Sequence, residues 1–153
     1  MSRTKKCILI GRSGSGKTTL AQALHNAQIS YDKTQTVKHD GWLIDTPGEY
    51  IENTAFGGAV AVYAYESDIV GLLLAANEPY SLYSPNITSM VNREVIGIVT
   101  KIDRPDAHPQ RAANWLRLSG CEKIFFISSK TGEGVQELKQ YLQQKNIIYH
   151  KTK

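Results

Sequence analysis

The chain has 153 residues, 41% of them hydrophobic and 21% charged, the proportions of a globular domain rather than of a disordered chain. That length argues against a two-domain enzyme and for one compact domain over residues 1–153, with its core at 4–145 and a basic tail at 146–153. The net charge is +4, but Arg3, Lys5, Lys6, Lys151 and Lys153 at the two ends account for the excess, so no element carries the aromatic-interleaved basic stripe of a nucleic-acid binder.

In chain order, Met1 to Lys6 is basic, yet the apolar stretch behind it, Cys7 to Ile10, is too short for an export signal. A cytoplasmic protein is therefore expected, with Cys7 and Cys121 as reduced, buried thiols. Lys6 to Ile10 predicts a strand, followed by a Gly/Ser-rich loop and a helix over Thr18 to Ala27, where Leu20, Ala23, Leu24 and Ala27 recur at helical spacing. Thr36 to His39 and Trp42 to Asp45 flank Asp40-Gly41, a pair suited to the positive φ angles of a type I′ turn, and so predict a hairpin.

Ala55 to Glu66 reads as a helix of small residues. Ile69 to Ala76 is the longest apolar run, well short of the roughly 20 residues a membrane span needs, and predicts a buried strand. Asn77 to Asn92 reads as a loop with one short helix after Pro85. The strand Val95 to Thr100 follows, then a helix over Pro109 to Ser119 bounded by Pro109 and Gly120, a strand at Lys123 to Ile127, and a helix over Val135 to Gln144. This alternation predicts a three-layer α/β fold, a mostly parallel sheet with one antiparallel edge strand from the hairpin.

Gly11-Arg12-Ser13-Gly14-Ser15-Gly16-Lys17-Thr18 matches G-x-x-x-x-G-K-[ST] in the strand-to-helix context that a phosphate loop requires. Glycines let successive N–H groups point inward, and the helix that follows offers its positive end to a phosphate. Lys17 is expected on the β- and γ-phosphates as a catalytic charge, the Thr18 hydroxyl on Mg²⁺, and Gly11, Ser13, Gly14, Ser15, Gly16 and Thr19 around the nucleotide. Asp45-Thr46-Pro47-Gly48 ends the hairpin, placing Asp45 as a second Mg²⁺ ligand and the Gly48 N–H on the γ-phosphate. Between these segments, Thr34 or Thr36 supplies a switch threonine that senses Mg²⁺, with Thr34 favoured. The histidines His25, His39, His108 and His150 share no metal spacing.

Thr100-Lys101-Ile102-Asp103 follows a predicted parallel strand, at the carboxyl edge where such sheets bind ligands. The Asp103 carboxylate can accept from N1–H and the exocyclic amine of guanine, whereas adenine presents an unprotonated N1 to it. Lys101 would cover the ring face, and Ser128-Ser129-Lys130 after the next strand would offer an N–H to guanine O6. GTP and GDP are thus the expected ligands, with ATP and ADP as the alternative.

Taken in order, these segments resemble a small GTPase of the translation-factor type. More narrowly, Lys33-Thr34-Gln35, Ile44-Asp45-Thr46-Pro47-Gly48-Glu49-Tyr50 and Val99-Thr100-Lys101-Ile102-Asp103 resemble the ethanolamine/propanediol utilisation family of EutP/PduV type, accessory proteins of bacterial microcompartment operons. The resemblance implies nucleotide binding linked to amine or diol breakdown, with a microcompartment shell or a pathway enzyme as partner and no membrane or nucleic acid. Proteins of this family are commonly described as ATP-binding.

Two positions depart from the GTPase pattern. Thr100 stands where Asn is usual, which shortens a side chain and predicts a looser guanine pocket. Glu49 stands where a water-orienting Gln is common; a carboxylate there can act as a base but faces the γ-phosphate, so slow hydrolysis is expected. Arg12 is expected to be a solvent-exposed side chain rather than a catalytic arginine. Tyr80, Tyr83 and Pro85 form either a docking patch or part of the domain's own packing. An ATP-dependent phosphotransferase and a nucleotide-stabilised docking adaptor are the competing functions; acceptor-dependent turnover marks the first and nucleotide-independent docking the second.

Overall fold

The computed structural model describes residues 6–12, 14–24, 38–39, 43–45, 67–81, 83 and 85–145. Their elements in chain order are β1 (Cys7–Ile10), α1 (Lys17–Leu24), β2 (Lys38–His39), β3 (Leu43–Asp45), β4 (Ile69–Ala75), a 3-10 turn (Ile87–Met90), β5 (Glu94–Thr100), α2 (Pro109–Leu118), β6 (Lys123–Phe126) and α3 (Val135–Gln144). The strands form one sheet in the order β2-β3-β1-β4-β5-β6, with every neighbouring pair parallel except β2 and β3.

Apolar side chains leave the sheet on both faces, which is why its central strands read as continuous hydrophobic runs. All seven residues of β4 are buried. Cys7, Leu9, Ile69, Leu73, Ile96 and Ile98 project to one face and pack with Leu20 and Leu24 of α1 and Leu138 and Leu142 of α3. Ile8, Ile10, Val70, Leu72 and Val99 project to the other, against Ala112, Ala113 and Leu116 of α2. Helices therefore cover both faces, and the three layers predicted for the chain are present.

β5 approaches α2 closely at Gly97, beside Ile124 of β6. A Cβ built there would lie 2.8 Å from Ile124 Cδ1 and 3.0 Å from Leu116 Cδ1, so only glycine lets the helix settle at this depth. α2 begins at Pro109, whose missing N–H costs nothing in a first turn, and gives way at Gly120, which takes φ 110.

Lys38 pairs with Asp45 and His39 with Ile44, antiparallel, as the predicted hairpin requires, and the turn expected at Asp40-Gly41 lies outside the described residues. β3 is simultaneously held parallel to β1, Cys7 beside Leu43 and Ile8 beside Ile44, which makes β2 the edge strand. The predicted helix over 55–66 and the ends of the predicted hairpin and first helix lie outside the described residues.

Candidate functional site

Because five strands are parallel, their carboxyl ends open on one edge, and the connections after β1, β4, β5 and β6 gather there. The loop after β1 turns through two left-handed residues, Gly14 at φ 81 and Gly16 at φ 97, conformations an L side chain resists. Ser15 N–H donates to the Arg12 carbonyl at 3.1 Å and Leu20 N–H to the Gly16 carbonyl at 2.9 Å, so the loop runs directly into α1. The Lys17 side chain folds back over the loop, its Nζ donating to the Gly11 carbonyl at 2.8 Å and reaching the Arg12 carbonyl at 3.5 Å. It is 7% exposed. A cation is thus held at the concave side of a ring of backbone amides, an arrangement made for a phosphate.

The segment after β5 reaches across to the same loop. The Thr100 hydroxyl donates to the Ser15 carbonyl at 2.6 Å, and Lys101, at φ 60, sends its ammonium to the Gly14 carbonyl. Thr100 therefore turns its polar atom to the phosphate loop and ties the segment after β5 to it. Asp103 lies one turn further on. Its Oδ1 accepts from the Ser128 hydroxyl at 2.8 Å, while the same oxygen of Ser128 accepts from Thr131 N–H at 3.1 Å. Ser128 is fully buried, so this chain of hydrogen bonds orients an otherwise exposed carboxylate.

A cavity of about 370 Å³ runs between these parts, lined by Gly16, Thr19, Thr100, Lys101, Asp103, Arg104, Pro105, Ser129 and Lys130. Arg104 pairs with Asp106 at 2.9 Å on its rim and holds that carboxyl below the usual range. The structure brings Gly11, Gly14, Ser15, Gly16, Lys17, Thr18, Thr19, Thr100, Lys101, Asp103, Ser128, Ser129 and Lys130 to one edge of the sheet. Ser13, Thr34, Gly48 and Glu49 lie outside the described residues.

For Mg²⁺, the donor chemistry fits: Thr18 is the second residue of α1, and Asp45 ends β3 with its backbone beside Leu9, two residues before the phosphate loop. A hydroxyl and a carboxylate are hard oxygen donors of the kind Mg²⁺ takes, one or two from protein and the rest from phosphate and water. Among the described residues no group of three or more His, Cys, Asp or Glu is placed to hold a metal. No described helix is long and apolar enough to cross a membrane.

Two residues have positions that sequence reasoning missed, Arg12 and Glu78. Arg12 is not a free surface side chain; its Nη1 is 3.0 Å from Glu78 Oε2, in the loop after β4, and its guanidinium lies 5.8 Å from the Tyr80 ring centre. Glu78 thereby belongs to the surroundings of the phosphate loop. Tyr83 is only 7% exposed and packs inward with Val70 and Ile87, whereas Tyr80 remains 52% exposed. Of the two aromatics left open between a docking patch and the domain's own packing, Tyr83 is a core residue and Tyr80 a surface one.

A glycine loop between a central strand and a helix, at the carboxyl edge of a mostly parallel sheet, defines the P-loop NTPase fold in its small G-domain form. The chain belongs to the ethanolamine utilisation–propanediol utilisation family, whose model matches residues 4–153. It is 42% identical over 144 residues to the propanediol utilization protein PduV of Citrobacter freundii, covering 92% of this chain and 95% of that one. It is 32% identical over 141 residues to the probable acetate kinase EutP of Escherichia coli K12, covering 90% of this chain and 89% of that one. Among solved structures, the GDP-bound RocCORdC fragment of Roco2 from Methanosarcina barkeri superposes with a TM-score of 0.64 at 19% identity. That match covers 94% of this chain and 49% of the other, and it bears on the fold.

Proposed function

We propose that this chain is a Mg²⁺-dependent guanine-nucleotide-binding protein, a slow GTPase switch serving ethanolamine or propanediol utilisation. The observation that carries the reading is the Asp103 carboxylate, aligned by the buried Ser128 hydroxyl at 2.8 Å on a cavity that ends at Gly16 of the phosphate loop. With Lys17 and Thr18 on the phosphates, a nucleotide lying along that cavity presents its base edge to Asp103. Ionised, Asp103 is acceptor-only, which matches the two donors of guanine and opposes the unprotonated N1 of adenine. The ring face then meets the stem of Lys101, and the backbone of Ser129 and Lys130 borders O6; the N–H of Ser128 itself donates to the Glu133 carbonyl at 2.8 Å.

Thr18 and Asp45 would hold Mg²⁺, which would supply positive charge to the phosphates. Thr34 and the segment from Asp45 to Tyr50 would order with the γ-phosphate, and Glu49 in place of a neutral amide keeps hydrolysis slow. The relative's name, propanediol utilization protein, supports the pathway; the same reading puts the chain in the cytoplasm, with a microcompartment shell or a pathway enzyme as its partner.

The name of the Escherichia coli relative, probable acetate kinase, favours a second reading: transfer of the γ-phosphoryl group of ATP to a carboxylate oxygen, leaving ADP. Titration of nucleotide-stripped protein with GDP, GTP, ADP and ATP in Mg²⁺ separates them. Tighter binding of both guanine nucleotides, with turnover indifferent to acetate, supports the switch. Equal or tighter adenine binding with acetate-dependent ADP release overturns it in favour of the kinase.

A further inference from the structure

We infer that Tyr83 is a positioning residue of the phosphate loop, its buried hydroxyl fixing the end of β1 from which the loop springs. The phenol oxygen lies 2.7 Å from the Leu73 carbonyl of β4 and 3.0 Å from the Ile10 carbonyl, and its single proton is shared between them. Ile10 is the last residue of β1 and is followed directly by Gly11. The pairing of β1 with β4 ends at Ile10 and Leu72, and the Tyr83 hydroxyl ties the carbonyls of Ile10 and Leu73 together where that pairing stops.

The seat it fixes has no slack. A Cβ at Gly11 would stand 2.6 Å from Ser15 Oγ and 3.1 Å from Leu73 Cβ, so Gly11 packs against the very residue whose carbonyl Tyr83 holds. The Gly11 carbonyl in turn accepts from Lys17 Nζ at 2.8 Å. A shift of the Ile10–Gly11 peptide therefore displaces the ammonium expected on the phosphates. Glu78, five residues earlier in the same connection, secures Arg12, two residues after Ile10, through an ion pair. The connection after β4 thus grips Ile10 and Arg12, the residues on either side of Gly11 at the root of the loop, one by a buried hydroxyl and one by a half-buried charge pair. Burial holds the phenol protonated, as a donor, across the working pH range.

This inference rests on the nucleotide-binding reading for its functional consequence, though not for its structural one. The test compares wild type with Tyr83→Phe, which keeps the ring and removes the hydroxyl, and with Val70→Ala, which thins the same core layer without touching the loop. Two quantities are measured on full-length protein: GDP affinity in Mg²⁺, and amide hydrogen exchange of residues 10–14 without nucleotide. Tyr83→Phe is expected to weaken GDP binding at least five-fold and to speed exchange of that segment at least ten-fold relative to β5. Glu78→Ala should move both in the same direction by smaller factors. Val70→Ala should lower the thermal midpoint while leaving both near wild type. Exchange in Tyr83→Phe indistinguishable from wild type, or matched by Val70→Ala, overturns the inference. If the wild type itself binds no nucleotide, the functional reading fails, and the exchange comparison still decides the role of Tyr83.

Discussion

Replacing Thr100 by valine removes one hydroxyl at nearly constant volume and so isolates its hydrogen bond to the Ser15 carbonyl. Oγ1 lies 2.6 Å from that oxygen, and Thr100 is 3% exposed, so water cannot take the hydroxyl's place. Depriving a buried acceptor of its donor costs about 1–3 kcal/mol. For a chain of this length each kcal/mol lowers the thermal midpoint by about 2–4 °C, giving an expected fall of about 2–12 °C. Thr100 also joins the end of β5, which carries Asp103, to the loop that carries Lys17. Losing the tie should therefore weaken GDP binding more than it weakens folding, by roughly ten-fold for each 1.4 kcal/mol of the bond expressed in the complex. Scanning calorimetry and a fluorescent-nucleotide titration measure the two effects on the same sample. A midpoint within about 1 °C of wild type, together with unchanged GDP affinity, would refute the argument that this hydroxyl couples the base segment to the phosphate loop.

Other consequences follow from burial and close packing. Gly97→Val should destabilise the fold by about 1–3 kcal/mol through overpacking, because even its Cβ meets Ile124 at 2.8 Å; chemical denaturation reads this, and a stability equal to wild type would contradict the tight α2 packing. Burial pushes the thiols of Cys7 and Cys121 up to about 12, so neither should react with iodoacetamide at pH 8 until the chain unfolds, as mass spectrometry would show. Since both folded values are raised above the ordinary 9.0, the stability these thiols contribute is present below pH 9 and is lost as the pH climbs towards 12. A Cys7→Ala, Cys121→Ala variant should decline less steeply over that interval in denaturant titrations, and an identical decline would exclude the thiols as its cause.

Much of the fold is legible in the sequence because its strongest signals are local. The unbroken apolar run over β4 declares a strand covered on both faces, and Pro109 and Gly120 mark α2 within a residue. The glycine loop is equally legible, since its backbone conformation admits few sequences. What escapes is set by tertiary contact. The parallel pairing of β3 with β1 joins segments more than thirty residues apart, and neither segment encodes it alone. Tyr83 sits in a Pro-rich connection without periodicity, where a tyrosine looks the same whether its hydroxyl meets water or two strand-end carbonyls. Arg12 and Glu78 are 66 positions apart, and nothing in either segment announces the other. Thr100 illustrates the limit from a different side: its departure from Asn is visible in sequence, but the loop's approach to within reach of a shorter side chain is visible only in space.

The claim on which the account turns is that Asp103 reads a guanine, and Asp103→Asn tests it most directly. The substitution exchanges an acceptor-only carboxylate for an amide with a donor at one side, at the same length and on the same Ser128 partner. The measurement is the affinity of wild type and variant for GDP, ADP and xanthosine diphosphate in Mg²⁺. The account predicts that the wild type prefers GDP, that the variant loses about 100-fold in GDP affinity as two charge-assisted hydrogen bonds go, and that it gains for xanthosine diphosphate, whose base carries a carbonyl in place of the amine. GDP affinity unaltered in the variant, or a wild type that binds ADP as tightly as GDP, would contradict it.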